Sequence, residues 1–247
     1  MFPIRDHNPS ETTPYVTYTL IAINVAIALY SFIFLTTDTA INRLYFDYAM
    51  IPARISEGEN YASLVTSTFL HAGVMHLAGN VLFLWIFGDN LEEEMGPLTF
   101  LSLYLIAGIG ANLAQFASGP TSQVAVVGAS GAIAGVMGGY LLMFPKAKVD
   151  ILLILIVYFK IFPVPSWIML GLWFGLQLIG GIGADAHGGG VAYWAHAGGF
   201  VIGFVLTIPL WLRRGGPAYW DKTDGHPPHP EARYPFVKSS VPVVKRR

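Results

Sequence analysis

The sequence predicts an all-α fold, a polytopic membrane bundle of six transmembrane helices. Three observations predict it. The chain is 54% hydrophobic and only 12% charged, against about 25% charged residues in a soluble domain. It holds six apolar runs near the roughly 20 residues that a helix needs to cross a bilayer core. Of the few polar residues within or beside those runs, the histidines, Asn80 and Ser130 gather at the starts of every second one.

The runs follow in order. The first, 16–36, comes after a polar, Pro-containing stretch, 1–15, expected to form a cytoplasmic N-terminal segment. Its length and the polar residues before it suit a helix that stays in the membrane better than a cleaved leader. The second is 74–90, opening near His76 and closing at LWIFGD. The third is 98–117, the fourth 127–144, the fifth 166–182 and the sixth 194–212. Together, 16–212 form the expected membrane domain. The loop 37–65 is the longest outer connection. The stretch 149–162, VDILLILIVYFKIF, is apolar but short, making about 21 Å as a helix. It carries Lys160 and is followed by Pro163 and Pro165. It is read as interfacial or as a partly buried excursion, since a full crossing would raise the count to seven. The tail 213–247 is rich in Pro and His and is expected to be a flexible cytoplasmic segment.

Lys and Arg near the helix ends set the orientation. With the N-terminus inside, the inner segments hold Arg5, Lys146, Lys148, Arg213, Arg214, Lys245, Arg246 and Arg247, and the outer loops hold Arg43 and Arg54. Both termini are therefore expected in the cytoplasm. A net charge of −1 gives no reason to expect a nucleic-acid partner, and the absence of Cys excludes a disulfide or a thiolate nucleophile.

Polar groups in the hydrocarbon are costly and mark function by default. His71, His76 and Asn80 fall at the start of the second run, Ser130 near the start of the fourth and His196 near the start of the sixth; Asn24, Asn112, Gln115 and Gln177 are scattered elsewhere. Six spans with an inside N-terminus put the starts of runs two, four and six at the outer face, so these residues converge at one depth. Small residues flank them. Gly128 and Gly131 bracket Ser130, and Gly199 and Gly203 after His196 form a small-xxx-small pair that lets helices approach closely. A Ser hydroxyl needs that approach to reach an imidazole on another helix. His196 would act as general base on Ser130. His76 and Asn80, four apart on one helix face, would offer N–H groups to an oxyanion, as would the backbone N–H of Ser130. No Asp or Glu is placed to complete a triad, so the pattern is a dyad.

The blocks HAGVMHLAGNVLFLW, GDNLEEEMG, VGASGAIAGV and AHAGGFVIG, in that order, resemble the signature blocks of rhomboid proteases, with likeness from about 50 to 212. The resemblance implies a six-helix core, a Ser–His dyad, and an active site open toward the extracytoplasmic side of a plasma (inner) membrane. Ser130 matches the nucleophile of the GxSG motif and His196 the base of AHxxG. His76 and Asn80 match the oxyanion-stabilising pair, and His71 is a structural residue of the same block. Glu92 and Gly96 match an ExxxG pattern that stabilises the loop between helices two and three. Two features depart from the family: no Trp-Arg pair occurs between 37 and 65, and Ala134 stands where some members stack a Tyr on the base. The implied substrates are single-pass membrane proteins in the lipid bilayer. The fifth helix, with Trp167, Trp173 and Phe174, would be the leaf through which they enter.

Other readings are weaker. No cofactor or metal is called for: His71 and His76 are five apart, about 500° around a helix, and HExxH is absent. His187 reads as a loop residue, and His226 and His229 as tail residues able at most to bind metal weakly. The alternative is a non-catalytic rhomboid-like scaffold that binds transmembrane helices, but relatives of that sort lack the Ser or the His. A transporter would show internal repeats with matching broken helices, and none is evident.

Overall fold

The computed structural model describes residues 2–155, 158–185 and 187–232. Helix α1 (Tyr15–Phe34) is the first span. The loop after it contains three short helices, α2 (Asp38–Tyr48), α3 (Pro52–Ser56) and α4 (Ser63–Thr66). Helices α5 (Val74–Met95) and α6 (Pro97–Ser118) form a hairpin. The centre of the bundle is α7 (Ser130–Met143), followed by α8 (Ser166–Gly183), α9 (Tyr193–Arg213) and the short α10 (Pro217–Thr223). Strands β1 (Phe2–Asp6), β2 (Lys148–Leu155) and β3 (Tyr158–Pro165) form an antiparallel sheet in that order. Among the described residues, α1, α5, α6, α8 and α9 are long and apolar enough to cross a membrane, and α7 is a shorter apolar helix. The chain is a multi-pass membrane protein.

Helix α7 is apolar on every side, and such a helix belongs at the centre of a bundle. Twelve of its 14 residues are buried. At 14 residues it is only about 21 Å long. Its last turn sits close to Lys146 and the sheet, so its first residue falls roughly 10 Å short of the far boundary of a hydrocarbon layer about 30 Å thick. Ser130, that first residue, is thereby recessed. Glycine sets how near the other helices come. A Cβ on Gly199 or Gly203 of α9 would collide with the carbonyl oxygens of Gly131 or Gly135 on α7, and one on Gly138 would collide with the Phe200 carbonyl. The backbones of α7 and α9 are therefore in contact, with no side chain between them.

Residues 149–162, expected to be an interfacial or partly buried excursion, form most of the β2–β3 hairpin. Pairs run from Lys148↔Pro165 to Leu155↔Tyr158, and β1 adds along β2 from Phe2↔Leu152 to Asp6↔Val149. The run is too short to cross as a helix and its β-branched residues suit a strand. Pro163 and Pro165 lie on the edge strand, where the missing N–H groups cost no ladder bond. Arg5 and His7 each reach an Asp150 oxygen at 2.8 Å. Burial raises the Asp150 pKa, but the hydrogen bonds and charges of His7 and Arg5 outweigh it and leave the carboxyl below its ordinary range. Residues 2–6 of the polar N-terminal segment are thus a strand of the sheet.

The tail also differs from the expectation of a flexible segment. After α10, Trp220 Nε1 donates to the Leu142 carbonyl at 3.0 Å, Lys148 pairs with Glu231 at 3.0 Å, and Ala232 N donates to the His7 carbonyl at 2.6 Å. Residues 225–232 lie across the sheet end; the rest of the tail, from 233, is outside the described residues. β1, the turn after α7 and this strap meet at one end of the bundle, as an even number of crossings requires.

Candidate active site

Three helix starts build the site. Gly128, two residues before α7, has φ +127°, a conformation in which a side chain is strained. A Cβ there would also lie 2.7 Å from His76 Nε2 and 3.5 Å from Ser130 Oγ. Glycine at 128 therefore lets the His76 ring sit against the turn that carries Ser130. The loop is held from below, where Gly128 N donates to the Ser67 carbonyl at 2.9 Å and Met50 pairs with Val126. Asn112 Nδ2 in turn donates to Ser67 Oγ at 2.9 Å and to the Leu64 carbonyl at 2.9 Å.

His196 lies in the first turn of α9. Its Nε2 is 2.7 Å from Ser130 Oγ. The start of α9 is tied to α6 because Ala195 N donates to Gln115 Oε1 at 3.1 Å. The contact between α7 and α9 at Gly131 and Gly199 is what brings the two side chains within hydrogen-bond reach. On its other side, His196 Nδ1 is 2.8 Å from Gln177 Oε1, and the Trp173 ring lies 5.8 Å away, tilted by 33°. Both partners come from α8.

Asn80 is buried one turn below His76. Its Nδ2 donates to His71 Nε2 at 3.0 Å, and the His71 and His76 rings meet edge to face at 5.3 Å. His71 thus anchors Asn80 and braces His76. Ser130, His196, His76 and Asn80 all line one cavity of about 890 Å³, with Phe83 and Met137 deeper along its wall. The cavity also touches the loops at the end of the bundle away from the sheet, including Val124 and Gly189, so water can reach it.

The structure brings Ser130 and His196 into contact, with His76 and Asn80 beside them, His71 behind, Gly128 against His76 and Gly131 against Gly199, while Gly203 meets Gly135 further along α7. Glu92 lies elsewhere. Its carboxylate accepts from Val16 N at 2.9 Å, Thr17 N at 2.8 Å and Thr17 Oγ1 at 2.8 Å, capping the free N–H groups at the start of α1. Gly96, at φ +76°, makes the turn between α5 and α6. Gln177 and Trp173 were not anticipated as partners of His196. The polarity of Gln177 inside an apolar helix was the one available signal for it.

The Rhomboid domain model matches residues 58–213. The chain belongs to the rhomboid family. The matched region runs from before α4 to the end of α9. This rhomboid is 35% identical over 150 residues to Rhomboid protein 1, mitochondrial, of Saccharomyces cerevisiae, an alignment covering 57% of this chain and 39% of that protein. It is 34% identical over 152 residues to Rhomboid-like protein 11, chloroplastic, of Arabidopsis thaliana, covering 60% and 51%. It is 32% identical over 169 residues to Rhomboid protease GluP of Bacillus subtilis, covering 66% and 28%. The aligned part is at most about half the length of these relatives.

Proposed function

We propose that this rhomboid is an intramembrane serine endopeptidase that cuts single-pass membrane proteins in or near the membrane. The observation that carries the proposal is the 2.7 Å approach of Ser130 Oγ to His196 Nε2, made between two helices in a largely apolar cavity whose wall also carries His76 and Asn80. A half-buried Ser–His contact with a water-accessible cavity around it is the arrangement nucleophilic acyl transfer needs.

Ser130 Oγ attacks the scissile carbonyl while its proton passes to His196 Nε2. The carbonyl oxygen becomes an oxyanion, received by N–H groups of His76 and Asn80 and by the free backbone N–H at the start of α7. The imidazolium returns its proton to the leaving amine, and the acyl-enzyme forms. A water from the cavity then attacks the acyl carbon, giving a proton to His196, which passes it to Ser130 Oγ as the ester bond breaks and the acid product leaves. The substrate helix reaches the cavity laterally between α5 and α8, since α5 supplies Gly79 and Phe83 and α8 supplies Trp173 to its wall. The outer face of α8, with Leu172, Leu176 and Ile179, is exposed and apolar, as a lipid-facing surface would be. Trp173 and Phe174 pack on Phe200 of α9 at 6.1 and 4.8 Å, so opening the leaf means parting these rings.

Residues 16–212 are taken as the protease domain, flanked by cytoplasmic segments. The basic residues at the sheet end favour a cytoplasmic sheet and a site on the opposite side, in the plasma membrane. A non-catalytic scaffold would have no use for a Ser–His hydrogen bond at this distance. The test is cleavage of a model single-pass substrate by the purified protein in detergent. Wild type should cleave and the folded Ser130→Ala and His196→Ala variants should not. Cleavage that persists in Ser130→Ala would end the serine reading.

A further inference from the structure

We propose that Gln177 is a positioning residue for the base, fixing the tautomer and orientation of His196 from the neighbouring helix α8. The proposal rests on the Ser130–His196 chemistry above and adds a member to it.

Gln177 is 8% exposed on a helix otherwise almost wholly apolar. A buried amide is costly unless its donors and acceptor are used. Gln177 Nε2 donates to the Trp173 carbonyl one turn back at 3.1 Å. That bond decides which end of the amide faces which way: the nitrogen is turned toward its own helix and Oε1 toward α9. Oε1 lies 2.8 Å from His196 Nδ1, and an amide oxygen can only accept. Nδ1 must therefore carry the imidazole proton. In the neutral ring Nε2 is then a bare lone pair, and it is this nitrogen that lies 2.7 Å from Ser130 Oγ.

The result is a chain of donors running one way: Ser130 O–H to His196 Nε2, His196 Nδ1–H to Gln177 Oε1, Gln177 Nε2–H to the Trp173 carbonyl. The opposite tautomer would set the Nδ1 lone pair against the Oε1 lone pairs and point an N–H at the hydroxyl that must give up its proton. Trp173 adds a steric limit, since its ring lies against the imidazole. Ala134 of α7 is too small for that task, and α8 fulfils it. Gln177 is neutral, so it orients the ring without placing a charge in the membrane. The titratable groups that share the cavity wall with His196 are His76 from α5, Tyr45, Asp185 and Tyr193.

The test uses the full-length protein in detergent and two readouts: kcat and KM on a single-pass substrate, and the rate at which a fluorophosphonate probe labels Ser130 as a function of pH. Ser130→Ala supplies the background. Gln177→Met keeps the length of the side chain and removes the acceptor. It should lower kcat and labelling roughly 10–100-fold, the order that outer partners of an orienting histidine carry, and leave KM unchanged. Gln177→Glu keeps an accepting oxygen. It should retain labelling well above Gln177→Met and move the low-pH limb of the profile upward, because an anionic partner favours the imidazolium. Wild-type labelling by Gln177→Met overturns the proposal. So does a Gln177→Glu profile with its limb in the wild-type place and a loss equal to that of Gln177→Met. Should Gln177→Met not fold, the limb of Gln177→Glu decides alone, displaced in support and undisplaced against. A wild-type chain that never labels would sink the Ser130–His196 reading first, and Gln177 with it.

Discussion

Gly199→Ala tests the dependence of the site on backbone contact between α7 and α9. The added methyl would fall on the carbonyl oxygen of Gly131, far inside the roughly 3.5 Å of ordinary contact. Neither helix can yield locally, because the obstacle is backbone on both sides. Relief requires the helices to part by about 1 Å, which carries the Ser130–His196 distance from 2.7 Å to about 3.7 Å, past the roughly 3.2 Å limit for proton transfer. A misplacement of that size costs on the order of 100-fold in rate, or about 2.7 kcal/mol. Overpacking should also lower stability by about 1–3 kcal/mol. The assay is turnover of a single-pass substrate beside thermal unfolding in the same detergent. Gly171→Ala is the control, since nothing lies within 4 Å of its added methyl. Wild-type turnover in Gly199→Ala would refute the claim that this contact sets the catalytic distance.

Other perturbations separate the roles of neighbouring groups. Asn80→Ala should lower kcat by roughly 10²–10³, the loss typical of one oxyanion donor, without abolishing it, because His76 and the backbone N–H remain. A folded but wholly inert variant would show that division of labour to be wrong. Glu92→Ala strips the cap from α1 and should cost about 1–3 kcal/mol of stability, read by thermal unfolding, while protein that stays folded labels at Ser130 at the normal rate. Asp6 gives a pH dependence. Burial and the neighbouring Asp89 charge raise its pKa from 3.8 to about 7, against the hydrogen bonds of Tyr140 and Asn90. The unfolded chain gives up this proton first, so the group's stabilisation is full below about pH 4 and fades as the pH rises to about 7. Asp6→Asn should flatten that part of the stability curve, and an unchanged slope would place the titration elsewhere.

Much of this was legible because membrane burial makes polar residues scarce. Ser130, His196, His76 and Asn80 stood out against apolar runs, and counting crossings was enough to place them at one end. Gly199 and Gly203 signalled close approach by their spacing, and Gly131 by its place beside Ser130. Gln177 was visible as a polar residue but not as a partner. Its link to His196 depends on how α8 is rotated against α9, and a helix apolar on nearly all sides gives no period from which to read rotation. The role of Glu92 was hidden similarly, since its partners, Val16 and Thr17, are 75 residues or more away. The β2–β3 hairpin was missed because its apolar run was measured only as a helix. Strand pairing with residues 2–6 could not be seen from the run itself. The tail was read from composition, whereas residues up to Ala232 are ordered by specific bonds to Lys148, Leu142 and His7.

The proposed activity depends on Ser130 being a nucleophile activated by His196. The most direct measurement is mass-spectrometric mapping of a fluorophosphonate adduct on the purified protein, for wild type, Ser130→Ala and His196→Ala. Wild type should carry an adduct on Ser130, Ser130→Ala none, and His196→Ala should label far more slowly with the fold intact. An adduct on another residue, or labelling of Ser130 at the same rate without His196, would contradict the proposal.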